Sequence, residues 1–140
     1  VRLSESRGTR MLITGMVFAA LAGLLHVYIF WLESLAWGSA RSRATFGVRT
    51  DTEVEITRAF AFNQGFYNLF LAIAAILGIV IAAAGSVAVG VTLMLVGTGS
   101  MLAAALVLFV TSPDKRRAAT TQGLFPLLAV VSLVIALVIG

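Results

Sequence analysis

The sequence predicts an all-α fold, an integral membrane four-helix bundle, on three observations. Apolar residues make up 60% of the chain against ten Lys and Arg and six Asp and Glu, too few charges for an ordinary water-soluble domain. The charges sit between long charge-free tracts rather than along them. The tracts have lengths that match hydrocarbon about 30 Å thick at a rise of about 1.5 Å per residue. The lipid bilayer is therefore the expected solvent, and the expected organisation is a single four-span domain, 1–140, with crossings at about 11–37, 57–83, 87–112 and 117–139.

The first crossing rests on 22 residues without Asp, Glu, Lys or Arg, from Met11 to Leu32. Its apolar run exceeds the 7–15 residues usual in a cleaved leader, and it carries His26 and Glu33, so it reads as permanent. A loop from Gly38 to Asp51 follows. It ends in Thr52-Glu53-Val54-Glu55, where Thr52 and Glu55 match a capping box that starts the second helix in water. The tract Ala59 to Pro113, 55 residues long, would reach on the order of 80 Å as one helix. It must fold back, and Ala82-Ala83-Ala84-Gly85-Ser86 is the obvious turn. Pro113 stops the third crossing, and Ala118 to Gly140 supplies the fourth.

Small residues at steps of four form tracks for close helix packing, Gly15-Ala19-Gly23 in the first crossing and Ala74-Gly78-Ala82 in the second. Steps of three or four beyond the first track reach His26, Phe30, Glu33 and Trp37, which points both ionisable residues into the bundle. Gly97-Thr98-Gly99-Ser100 lies inside a crossing, without the strand-loop-helix setting of a phosphate loop, and reads as packing. Trp31 and Trp37 read as interfacial or packing aromatics.

Seven of the basic residues, Arg41, Arg43, Arg49, Arg58, Lys115, Arg116 and Arg117, follow the first crossing or join the last two. Arg2, Arg7 and Arg10 precede it. They are orientation signals, not a nucleic-acid surface. The bias places loops 38–58 and 113–117 in the cytoplasm and both termini outside. With no cysteine and one histidine, no metal site and no cofactor is expected; a haem would find at most one axial ligand.

The candidate chemistry is a polar set: His26 and Glu33 in the first crossing, Asn63, Gln64, Tyr67 and Asn68 in the second, and Gln122 in the fourth. Pro126 lacks the N–H for the Gln122 carbonyl and should bend the last helix. Counting residues from the charged loops sets Glu33, Gln64 and Gln122 about 6–9 Å deep, and His26 and Asn68 at about 15–17 Å. The expectation is a shaft with two polar layers. Interhelical hydrogen bonding, worth about 0.6–2 kcal/mol per contact, is the competing use of such residues.

These blocks, His26-Val27-Tyr28-Ile29 with Glu33 and Trp37, Phe46-Gly47, Asn63-Gln64-Gly65-Phe66-Tyr67-Asn68-Leu69-Phe70-Leu71-Ala72, and Gln122-Gly123-Leu124 with Pro126, resemble the small four-span bacterial membrane proteins of the domain of unknown function 1304 family. The resemblance covers nearly the whole chain. Leu25 departs from it, since similar proteins often carry a glutamate there, which weakens a proton relay through a paired acid. The resemblance implies a four-span bundle and no established activity; the expected location is the bacterial cell (inner) membrane.

The leading functional expectation is binding of a small molecule or ion, extending to proton-coupled transport, with Glu33 and His26 titrating and the amides donating hydrogen bonds. A chain so small is expected to dimerise to form a pathway, and a homodimer or a larger membrane complex is the expected assembly. Two alternatives stand beside it: an accessory subunit of such a complex, and an intramembrane enzyme acting on a lipid or quinone-like substrate, for which no nucleophile-base pair is visible.

Overall fold

The computed structural model describes residues 2–140, with side chains from Glu5 onward. Val1 lies outside the described residues, as does the side chain of Arg2, one of the three N-terminal arginines in the orientation count. The described chain is all-α: α1 Arg2–Phe30 continuing into a π-helical turn Trp31–Leu35, a short α2 Ala40–Phe46, α3 Asp51–Ala83, α4 Val87–Thr111, a 3₁₀ turn Pro113–Lys115, and α5 Arg116–Ile139. Four segments, Glu5–Leu35, Asp51–Ala83, Val87–Thr111 and Pro113–Ile139, are long and apolar enough to cross a membrane. The helices outrun the expected crossings at the water ends. α1 starts nine residues before Met11 and α3 six before Thr57, because polar first turns continue a helix that hydrocarbon does not require.

The four long helices run up and down with α1 against α3 and α5, and α4 against the same two; α1 and α4 barely meet across the diagonal. Glycine marks the closest approach at each of the four contacts, the arrangement expected where burial of apolar surface supplies little drive. A Cβ on Gly15 would lie 2.6 Å from Leu133 Cδ2 on α5, and one on Gly23 would lie 3.0 Å from Ile76 on α3. Between α3 and α4, a Cβ on Gly78 would meet the Gly90 carbonyl at 2.6 Å, while one on Gly97 would lie 2.9 Å from both Ala75 N and Leu71 O. The small-residue face of α3 is thus Ala75-Gly78-Ala82, all buried, with Ala74 half-buried beside it. Gly123 closes the square against Ala105 of α4.

Ala19, Ala82, Val91, Met94, Ala129 and Leu133 fill the half of the bundle nearer the termini. The turn between α3 and α4 carries Gly85 at φ 104°, a left-handed backbone that suits glycine. α5 runs unbroken through Pro126, which is buried in it.

Two sequence expectations change at the other end. The loop after α1 contains α2, capped by Ser39, whose side chain accepts from Ser42 N, and closed by Gly47 at φ 73°. The capping box of α3 is Thr50 with Glu53, not Thr52 with Glu55: Glu53 N donates to Thr50 Oγ1 at 3.1 Å and Thr50 N to Glu53 Oε2 at 3.1 Å. Arg49 N also donates to Glu53 Oε2 at 2.6 Å, and Arg43 pairs with Asp51, so the link from α2 fixes the earlier start.

Candidate functional site

The site is built on the π-helical turn. Ala36 N–H donates to Trp31 O at 2.9 Å, five residues back, instead of to Leu32 O. The Leu32 carbonyl so freed is buried and takes a hydrogen bond from Ser42 Oγ at 3.1 Å. α2 is therefore held over the end of α1 by the defect itself. Such turns insert one residue into the α-helical spacing and are frequent at functional sites; this one contains Glu33.

α3 closes on the turn because residue 65 is glycine. A Cβ there would lie 2.1 Å from Ser34 Oγ and 3.1 Å from both Glu33 Cβ and Phe30 O. The approach lets Ser34 Oγ donate to Phe62 O at 2.8 Å and brings Asn68 Nδ2 to Glu33 Oε2 at 2.8 Å. The same amide reaches Gln64 O at 3.2 Å. Farther out, Trp37 Nε1 donates to Val54 O at 3.3 Å, and its ring lies 5.4 Å from that of Phe46.

Between these parts lies a cavity of about 530 Å³, lined by Glu33, Trp37, Phe46, Val48, Thr57, Phe60, Ala61, Asn63, Gln64, Tyr67 and Lys115. Glu33 is 8% exposed, whereas Asn63, Gln64, Tyr67 and Lys115 are exposed. The acid is the buried wall and the amides, phenol and ammonium stand at the open side. Among the described residues no three of His, Cys, Asp and Glu gather as metal ligands.

Four of the sequence candidates, Glu33, Asn63, Gln64 and Tyr67, line this one cavity, and Asn68 reaches it through Glu33. The two-layer shaft does not form. Asn68 meets Glu33, which the depth count set in the other layer; the π turn at Trp31–Leu35 departs from the uniform rise that the count assumed. His26 is buried at 2% exposure and its Nδ1 donates to Ala22 O on its own helix at 2.8 Å. It is not part of the cavity wall, nor is Gln122, which is half-buried on α5. Lys115, Thr57, Phe46 and Phe60 also line the cavity; in the sequence Lys115 stands as an orientation charge, Thr57 carries no signal, and only the aromatics near the charged loops hint at the wall.

A family model described as "Protein of unknown function (DUF1304)" matches residues 20–134. The chain belongs to the DUF1304 family. The match spans every cavity residue of this DUF1304 protein, from Glu33 to Lys115, and omits only part of α1 and the end of α5. No curated protein matches the chain, and no solved structure does.

Proposed function

We propose that this DUF1304 protein binds a small molecule in the membrane, in the cavity walled by Glu33. One observation carries the reading: a nearly buried carboxylate, held by a single amide donor, borders an open cavity large enough for a small organic molecule. Ionisable groups within crossings are costly and mark sites of function, and clefts of about 300–1,000 Å³ are the usual size for ligands. Entry is from the charged-loop end, assigned to the cytoplasmic side of the bacterial cell membrane by the basic bias. The packed Ala19–Met94–Leu133 core lies at the opposite end, and binding is the activity proposed for the cavity.

The test is thermal unfolding of the purified protein in detergent with and without a small-molecule extract of its own membranes. A ligand at about a hundred times its Kd adds about 2.7 kcal/mol. The wild type should be stabilised and Glu33→Gln should not. Equal stabilisation of both proteins, or of neither, removes the reading.

A second reading has its own support along α3, where Phe60, Asn63 and Tyr67 at the open side of the cavity are exposed, the two rings at 78% and 64%, and Phe70 beyond the cavity is 57% exposed. A polar side chain on an outer helix face favours a protein partner over lipid. A second copy or a larger complex recovered in fixed ratio after gentle solubilisation supports this reading; a lone monomer refutes it.

A further inference from the structure

We infer that the cavity takes a protonated organic amine with an apolar body. This rests on the binding reading above and adds the chemical class. An ionised carboxylate offers about four acceptor positions, and Asn68 supplies one donor to Glu33. The ion pairs among the described residues are Arg43 with Asp51 and Arg58 with Glu55. Neither provides a cation for Glu33. The acid borders the cavity, where an ammonium N–H would satisfy its remaining acceptor capacity with a charge-assisted hydrogen bond.

The rest of the wall suits the rest of such a molecule. Trp37, Phe46, Phe60 and Tyr67 also line the cavity, and aromatic rings cover an apolar body and attract a cation that comes over their faces. Lys115 is the one opposing charge on the wall. It is exposed on the turn before α5, where water screens it, while the buried acid acts in a lower dielectric. The acid therefore sets the charge preference inside, and Lys115 weakens it from the rim.

Trp37 can report occupancy once Trp31→Phe leaves it as the sole tryptophan. This protein, in phosphatidylcholine nanodiscs, would be titrated with phenylbutylamine, phenylbutanol and phenylbutyrate, which share a body and differ in head group. The amine should produce a saturable change in fluorescence and bind about tenfold or more tighter than the alcohol, with the carboxylate weakest. Glu33→Gln, checked for an unchanged helical spectrum, should bring the amine to the level of the alcohol. Lys115→Ala leaves the buried wall intact and should tighten the amine about twofold relative to the carboxylate. If the alcohol or the carboxylate binds as tightly as the amine and Ala61→Phe, which fills the cavity without adding a tryptophan, abolishes that binding, the site stands and the amine class is refuted; if Ala61→Phe leaves the binding in place, the site is refuted as well. No saturable response to any of the three refutes both. Should Glu33→Gln fail to fold, the head-group ranking decides the charge assignment: an amine no tighter than the alcohol overturns it.

Discussion

Replacing Ser42 by alanine tests the physical basis of the site without touching the cavity wall. The change removes one oxygen and keeps nearly the same shape, so it opens no hole. What it takes away is the donor to Leu32 O, a carbonyl that the π turn has already deprived of its helical partner. Ser42 is 0% exposed, so water does not replace the hydroxyl. A buried acceptor left unmet costs about 1–3 kcal/mol, and the 3.1 Å length of this O–H···O bond, long for its type, places the expected loss in the lower half, about 1–2 kcal/mol. Equilibrium unfolding in mixed micelles with a rising fraction of dodecyl sulfate, followed by circular dichroism, measures it. Thr45→Ala is the control: its hydroxyl bonds Arg41 O on an exposed face, and its removal should cost under about 0.5 kcal/mol. If the turn relaxes to α-helical spacing in the variant, the residues beyond it rotate by about 100° and Glu33 leaves Asn68. Ligand affinity should then fall with stability. Ser42→Ala unfolding with wild-type stability would refute the claim that α2 is fixed by the freed carbonyl.

Further outcomes are expected for other single substitutions. Gly65→Ala should destabilise by about 1–3 kcal/mol, because its Cβ falls on Ser34 Oγ. Gly99→Ala, with nothing within 4 Å of the new atom, should be neutral or stabilise by up to about 1 kcal/mol in the same unfolding assay. Thr50→Ala should cost about 1 kcal/mol and Thr52→Ala under about 0.5 kcal/mol; the reverse order would return the helix start to Thr52. Asn68→Ala removes the donor held by Glu33 and should destabilise by about 1–3 kcal/mol, whereas Gln122→Ala should leave ligand binding unchanged in the Trp37 titration.

The four long helices were legible because hydrocarbon imposes length and composition on any crossing, and Gly85 and Pro113 break the chain where the turns occur. The packing tracks were legible to within one residue: Gly15 and Gly23 meet other helices, but the track on α3 runs through Ala75 instead of Ala74. Thr50-x-x-Glu53 and Thr52-x-x-Glu55 satisfy the same local rule, and contacts from Arg49 and Arg43, outside that window, choose between them. The short α2 left a weak trace in Ser39 and Gly47. The π turn left none, since it depends on Ser42 and Gly65 meeting the end of α1 from two other elements. A straight-helix count was therefore bound to misplace Asn68 by a layer while still identifying Glu33, Gln64 and Asn68 as polar residues of one neighbourhood.

The lengths of α3 and α4 carry a consequence for how a solute reaches Glu33. α3 has 33 residues and α4 has 25, about 50 Å against about 38 Å, and the two are level at the turn that joins them. The excess of about 12 Å projects past the top of its neighbour and bears Thr57 beside the roof made by α2. With α4 seated across the acyl chains, this overhang stands among lipid headgroups like the raised back of a scoop. On the proposed binding reading, a guest molecule meets Thr57 on this overhang before it reaches Glu33.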